Sequence, residues 1–596
     1  MIWIPTGDSM SSPSKKFTAL TIDTPMPPPE WALLERALIK QQSEAIEAFY
    51  AQYFDERGYL LCVVRWGGND GPDDAAENFA NWPELHALGA DDRILELYKK
   101  AWDGHLLQYT EAKTTDVEFA REGMYFREFP TMFDWMHNGE GFTAFFLQGL
   151  SDPYEKKYQD RTRRFTEFYM GEDPLADNYD PEHKVIKSFF NGSRGPMLRK
   201  ATGLDWAGDP IEVKGRFKPG HGERNYEEMV AHFKDYNDVV GDHPLNMGVT
   251  TLAINAYMIE GEEKYYTWAK EYLDAWVERT EKNHGIIPTN IGLDGTIGGA
   301  CDGKWYGGVY GWGFTTIVPQ TGLPANRPYF LIRVHLSFGN GLLLTGDQKY
   351  IDTWRGVLEK VNANKREENG QTLYPRMHGD QGWYDFQPEP LSTGALEIYY
   401  WSMNREDLKR LPMQGWIAYL EGQDPEYPVK ALRTDIEMVR GRIEKMRLDT
   451  TSTDTRMSDD MNGMNPAATD ALIQLMLGGL PTGHLGHPLH CRFRYFDPER
   501  QRAGIPQDVA ALVEHMTHNE ATVTIVNTNQ VMARSVIIQG GAYGEHGLVD
   551  VACNGHVAHV EHPFFTLHLK PGCGSTLTIK MDRYAHRPTL TLPWDR

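Results

Sequence analysis

Apolar positions recur along this chain with two helical signatures. From residue 30 to 53, Trp31, Leu34, Leu38, Ala45, Phe49 and Tyr53 fall on one face, the spacing of an amphipathic helix. Stretches 142–150, 247–259 and 330–344 are instead apolar or small around the whole circumference, which predicts helices buried on all sides. One-sided partners follow them across glycine-bearing turns: Tyr265, Trp268, Tyr272 and Trp276 after the second, and Tyr350, Trp354 and Leu358 after the third.

The turns share a phrase. Leu88-Gly89-Ala90-Asp91-Asp92 precedes Tyr98, and Gly149-Leu150-Ser151-Asp152-Pro153-Tyr154 precedes Tyr158. Ile259-Glu260-Gly261-Glu262-Glu263 and Leu344-Thr345-Gly346-Asp347-Gln348 repeat it. Glycine tolerates the left-handed C-cap and acids favour the next N-terminus, so each phrase predicts a helical hairpin. Inner helices are expected at about 78–88, 139–150, 246–259, 330–344, 393–402 and 465–477. Six such hairpins make a mainly α chain with a closed (α/α)6 toroid, a helical barrel, over 30–484. An open superhelix fits the irregular spacing and the long Gly/Trp-rich insertions less well. Residues 1–29, ending in Pro27-Pro28-Pro29, read as an N-terminal arm. Beyond 484 the pattern alternates in 521–526, 533–539, 564–569 and 575–581, which predicts a small antiparallel β-sandwich domain over 485–596.

Composition narrows the partners. A formal net charge of −23 argues against nucleic acid and anionic membrane surfaces. Aromatic residues are 12% of the chain, including 16 Trp and 29 Tyr, which supplies both helix packing and flat faces for sugars. Five cysteines without CxxC or framework spacing fit a reducing compartment, and no signal peptide or membrane span is visible, so the expectation is a cytoplasmic protein.

The loops entering the inner helices are loaded with chemistry. Arg65 and Trp66 open a segment running through Asp73 and Asp74 to Glu77, whose aspartates read equally as helix caps. Asp134, Trp135, His137, Asn138 and Glu140 form the strongest group, two carboxylates flanking an imidazole. Asp242, His243 and Asn246 follow, with Asp242 also readable as an N-cap. Trp305, Tyr306, Tyr310 and Trp312 stand among glycines, and His378, Asp380 and Trp383 close the series. The rings suit a sugar-binding wall. Hydrolysis of a glycosidic bond needs one carboxyl to protonate the leaving oxygen and another to activate water or attack carbon. Asp134 and Glu140 can fill those roles, or either can pair with Asp242 or Asp380. Arg194 and Arg224 belong to a basic loop set that reads as solvated surface or as the cradle of an acidic substrate. His484, His487 and His490 lie among Pro and Gly, so no metal ligand set and no cofactor is assigned.

Six hairpins with aromatic-acidic loops and a β domain behind them resemble the (α/α)6-toroid glycoside hydrolases and polysaccharide lyases, over roughly residues 30–590. The resemblance implies an oligo- or polysaccharide substrate, with an acidic, uronate-containing sugar expected from the basic loops. Three readings stay open. Hydrolysis leads on the number of carboxylates. Elimination at a uronate is the alternative, drawing on His137, Asn138, Arg194, His243, Asn246, Tyr306, Tyr310 and His378. Carbohydrate binding without catalysis is the third.

Overall fold

A computed structural model describes residues 18–66, 71–115, 117–202, 205, 225, 227, 239–318, 323–326 and 330–596. Helix α1 (Glu30–Tyr53) is followed by α2 (Pro72–Glu77), α3 (Trp82–Leu88), α4 (Asp92–Glu111), α5 (Trp135–Gly141), α6 (Thr143–Ser151) and α7 (Lys156–Glu167). Then come α8 (Thr250–Glu260), α9 (Glu263–Lys282), α10 (Phe330–Thr345), α11 (Lys349–Asn362), α12 (Ala395–Ser402), α13 (Tyr427–Leu448) and α14 (Asp470–Leu477). The inner ring is α3, α6, α8, α10, α12 and α14, and every residue of α6 is buried, as its all-round apolar pattern requires. The outer layer closes where α13 packs along α1. The inner ring closes where Trp82 Nε1 donates to Asn465 Oδ1 at 3.1 Å and Asn78 Nδ2 to the Ser458 carbonyl at 2.8 Å. The fold is an (α/α)6 toroid followed by a β-sandwich.

Gly261 closes α8 in the left-handed region at φ 71°, and α9 begins two residues later. Gly149 departs from that pattern. Helix α6 runs on to Ser151, and Gly149 sits inside it. A Cβ there would lie 2.6 Å from Leu590 Cδ1 and 2.8 Å from Tyr158 Oη, so this glycine serves helix packing rather than a turn.

The strands of the sandwich are β1 (Ala19–Ile22), β2 (Phe493–Asp497), β3 (Arg502–Ala503), β4 (Val509–Met516), β5 (Glu520–Asn527), β6 (Arg534–Gly540), β7 (Gly547–Cys553), β8 (His556–His559), β9 (Phe564–Leu569) and β10 (Gly574–Asp582). One sheet has the order β1-β9-β6-β2-β3 and the other β4-β5-β10-β7-β8. Val536, Ile538 and Leu567 of the first share a buried cluster with Val523, Ile525 and Leu577 of the second. Pairing is antiparallel except at the edge, where β1 runs parallel to β9 with Ala19 opposite Thr566. Part of the segment read as an arm is therefore an edge strand of the sandwich. Strand β4 leans on α1 and α14. Among the described residues no helix is long and apolar enough to cross a membrane.

Between α14 and β2 the chain turns back into the toroid. Gly486 N donates to Thr143 Oγ1 at 3.1 Å, and Thr251 Oγ1 donates to the Gly486 carbonyl at 3.1 Å. This segment floors the ring and carries His484 and His487 to its axis.

Candidate active site

Four N-terminal segments of the ring pack on one another: α2, α5, the 3-10 turn Pro244–Val249 and the start of α10. Helix α5 begins at Asp134, whose Oδ1 accepts the backbone N–H of Met136 at 2.9 Å and of His137 at 3.0 Å. That same oxygen lies 2.8 Å from His137 Nδ1. Asp134 is thus both helix cap and holder of the imidazole. One turn on, Glu140 ion-pairs with Arg333 of α10. A ring nitrogen of His137 and carboxylate oxygens of Asp73 and Glu140 all lie within 4.8 Å of one another. Glu77 faces His484, with Oε2 3.8 Å from Nδ1, and His484 Nε2 lies 3.0 Å from Asn81 Oδ1. Beyond Arg333, His335 Nε2 lies 3.7 Å from Glu397.

Burial and charge set the protonation of this group. Burial pushes Asp73 up to about 7, against the pull of His137 and with the repulsion of Glu140 and Glu77. Burial also raises Glu140, opposed by Arg333 and His137. For His137 burial disfavours the cation, but Asp134, Asp73 and Glu140 outweigh it and push the ring up to about 10. Desolvation lowers His484, yet Glu77 and Glu140 reverse that and leave it raised. His487, deeper in the floor, is depressed to about 3 by burial and by His335. The cleft thus holds an imidazole whose cation its acidic neighbours favour, beside two carboxyls that burial raises.

Other expected residues lie elsewhere. Asp242 is fully buried and forms a hub rather than part of the cleft: Tyr272 Oη donates to it at 2.9 and 3.0 Å, Asn246 Nδ2 at 3.0 Å and Ile186 N at 3.2 Å, with Arg279 at 3.4 Å. His243 is buried against Phe189 and Phe330, and burial depresses it to about 3. Tyr310 is buried on Phe189 and Phe314. Asp380 is exposed, taken by Lys304 Nζ at 2.9 Å and Tyr306 Oη at 2.5 Å. Trp305, Tyr306 and Trp383 pack around His378 at 4.7–4.9 Å between ring centroids. Trp383 meets Trp312, and Trp312 meets Phe330 on the first turn of α10, which sets this aromatic group near the cleft. Trp135 is buried on Tyr169, Asn138 is buried beside His137 in α5, and Arg65 and Trp66 are buried, Trp66 Nε1 donating to the Asp205 carbonyl at 3.0 Å. Arg194 donates to the Phe119 carbonyl, lies 3.7 Å from Glu122 and lines a separate groove with Phe126, Leu175 and Lys187. Arg224 lies outside the described residues.

Arg333 was not singled out in the sequence, Asp73 read equally as a cap, Glu77 closed its loop without a role, and His484 was weighed only as a metal ligand. Arg333 carried a signal, an arginine inside an otherwise apolar helix. Asp73 was hidden beside a cap, and the cap is its neighbour: Asp74 Oδ2 accepts from Gly71 N at 2.6 Å. His484 has no helical spacing to mark it, because only the return of the floor segment brings it to Glu77.

Two groups have the donors for a divalent ion, Asp73–His137–Glu140 and Asp74–Glu77–Asp459. In the first, Arg333 already supplies a cation to Glu140 and Asp134 holds one nitrogen of His137.

Among solved structures, the chain is similar to cellobiose 2-epimerase from Bacillus thermoamylovorans B4167, with 10% identity, 63% of this chain and 85% of that one covered, and a TM-score of 0.36. It is also similar to an inactive variant of the alpha-1,6-mannanase GH76A of Salegentibacter sp. HEL1_6 in complex with alpha-1,6-mannotriose, at 12% identity, 74% and 99% coverage and a TM-score of 0.31. A third is the glycoside hydrolase family 76 mannosidase Bt3792 from Bacteroides thetaiotaomicron VPI-5482, at 8% identity, 72% and 97% coverage and a TM-score of 0.32. No curated protein matches the chain. A family model described as a domain of unknown function, DUF8034, matches residues 19–414 and 412–473, so the ring that carries Asp134, His137, Glu140 and Arg333 belongs to a member of that family.

Proposed function

We propose that the chain is a carbohydrate-active enzyme that hydrolyses a glycosidic bond at the toroid mouth, with Glu140 as proton donor and Glu77 as the opposing carboxylate. The observation that carries this is the setting of Glu140. Its side chain is 20% exposed, so a substrate oxygen can reach it, while Arg333 fixes it and burial raises its carboxyl. A donor must hold its proton near working pH and stand within reach of the leaving oxygen. Glu77, 17% exposed on α2 and facing His484, supplies the second carboxyl. Half-buried Trp305 and Tyr306 offer faces on which a sugar can stack.

Elimination is less well supported. Tyr306 is engaged with Asp380, and His378 is packed among rings, so both are committed to other partners. The narrower expectation of an acidic sugar rested on a basic loop set in which Arg194 or Arg224 was to hold the negative group. Arg194 serves another groove, so the described residues support bond cleavage without selecting a uronate. The test is digestion of a panel of neutral and uronic oligosaccharides by the wild type and by Glu140→Gln. New reducing ends without unsaturated-uronate absorbance, reduced roughly 10²–10⁴-fold in the variant, are expected. Absorbance matching the new ends would establish elimination instead. Cleavage of nothing, or cleavage indifferent to Glu140→Gln, would overturn the assignment.

A further inference from the structure

Two arginines at the seam between toroid and sandwich have no carboxylate opposite them among the described residues. Arg492 lies just ahead of β2 and is fully buried; Arg583 directly follows β10 and is half-buried. Each uses one nitrogen to tie the seam. Arg492 Nη2 donates to the Thr517 carbonyl at 3.1 Å, in the turn between β4 and β5, and Arg583 Nη2 to the Tyr400 carbonyl of α12 at 2.9 Å. Nε and Nη1 of both are sealed from solvent without a hydrogen-bond partner. Both guanidiniums lie over the Tyr400 ring, 5.3 and 6.0 Å from its centroid. His490, which feels the charge of Arg583, is 2% exposed and lies against Trp401, and neither of its ring nitrogens has a partner.

The acids of this region are engaged elsewhere. Glu545 accepts the backbone N–H groups of Ala542 at 3.3 Å and Tyr543 at 2.8 Å, and Glu397 faces His335. Burial, and then the repulsion of Arg583, push the Arg492 guanidinium down to about 9. A buried cation is unfavourable unless it is paired and its N–H groups find acceptors. The Tyr400 ring attracts both charges through its π face, yet it supplies neither a negative charge nor an acceptor for the remaining N–H groups.

We propose that Arg492, Arg583 and His490 form a buried site for a small inorganic anion, a halide such as chloride, that locks the sandwich onto the inner ring. The arginines supply the charge and the donors of Nε and Nη1, and His490 adds a ring N–H. A spherical ion accepts from several directions and brings no oxygens of its own to satisfy. That suits a setting otherwise made of the Tyr400, Tyr584 and Trp401 rings. Phosphate would bring four oxygens and further charge. Bound there, the ion joins the lead into β2, the end of β10 and, through the Tyr400 carbonyl, helix α12. The proposal does not depend on the hydrolytic reading.

The test uses the whole chain. Thermal melts are compared at equal ionic strength in sodium chloride and in sodium gluconate, whose bulky anion cannot follow chloride into a packed seam. Chloride should raise the melting temperature by roughly a few degrees, saturably, as a ligand of the folded state alone does. In Arg492→Met, which keeps an apolar stem and removes the charge, that rise should vanish. Crystals soaked in sodium bromide should show an anomalous peak within hydrogen-bonding reach of both Arg492 and Arg583. Should the variant fail to fold, the wild-type melts and the bromide crystals decide. Equal wild-type melts in the two salts overturn the proposal. So does a chloride rise that persists in folded Arg492→Met, since the ion then acts elsewhere. Bromide at the arginines without a chloride effect on the melts is an adventitious ion only, and overturns it as well. An oxyanion or a water between the arginines, in place of bromide, overturns the halide assignment.

Discussion

Asp134 Oδ1 lies 2.8 Å from His137 Nδ1 while the same oxygen caps α5 through two backbone N–H groups. Capping and chemistry are often weighed as rival explanations of an acidic residue at a helix start. Here one oxygen does both, because a side chain three residues beyond an N-cap lies directly above it. The two roles separate by substitution. Serine caps a helix nearly as well as aspartate, so the cap should survive in Asp134→Ser, and any loss of stability beyond about 1 kcal/mol reports the broken buried pair with His137. The variant should also lower the His137 titration and reduce activity by about tenfold or more, since a neutral hydroxyl neither fixes the ring nor holds its charge. Thermal melts and rates on one preparation check both halves.

Asp242 calls for the opposite experiment. Its type and place in the sequence suit catalysis, yet its carboxylate is buried among Tyr272, Asn246, Ile186 N and Arg279. Asp242→Asn turns an acceptor-only group into one with an NH2 facing donors on every side. The expected result is a loss of about 3–5 kcal/mol of stability, as for a broken buried ion pair. Denaturant melts measure it. Full stability with lost turnover would instead mean that Asp242 acts in the chemistry.

These two aspartates show how much of the site was legible. The hairpin phrase and the all-round apolar stretches carried the ring, because burial on every side leaves its mark in each residue of a helix. Strand alternation likewise announced the sandwich, although β1 did not show, since four residues before a Pro run look alike in an arm and an edge strand. The Asp134–Glu140 segment was legible because its members sit within one turn or two of each other. Arg333 and His484 were not, since they meet Glu140 and Glu77 only through ring closure and the return of the floor segment. Asp380 and Asp242 differ in depth, one exposed and one sealed, and depth is a property of tertiary packing that the sequence does not display.

Gly486 gives a direct test of the floor. At φ 68° it occupies the left-handed region, and a Cβ would lie 2.4–2.8 Å from the backbone O, Cα and C of Gly139. Neither backbone can yield without moving α5, which carries His137 and Glu140. Gly486→Ala should therefore destabilise the protein by about 1–3 kcal/mol or more. It should also reduce activity beyond what the lowered stability explains at temperatures where the variant remains folded. Crystallography or hydrogen exchange on α5 would locate the disturbance. An unperturbed melt would show that the floor segment does not press on α5.

Glu35 makes stability depend on pH at the seam between toroid and sandwich. It lies on α1, nearly fully buried, accepting from Ala511 N of β4 at 3.3 Å. Burial pushes its carboxyl up to about 8 from an ordinary 4.5, against the pull of Arg36. For an acid with a raised folded value the unfolded chain gives up its proton first. Between about 4.5 and 8 the folded state therefore binds more protons, and stability falls as pH rises through that window before levelling off. Replacing the carboxyl with an amide removes this dependence. Glu35→Gln should match the wild type near pH 4 and exceed it by a few kcal/mol above pH 8, on the scale of about 1.4 kcal/mol for each tenfold difference in proton affinity. Denaturant melts at half-unit intervals from pH 4 to pH 9 give the slope directly. Parallel curves for the two proteins would mean that the Glu35 carboxyl titrates alike in the folded and unfolded chain, and that Arg36 and the Ala511 amide already offset its burial.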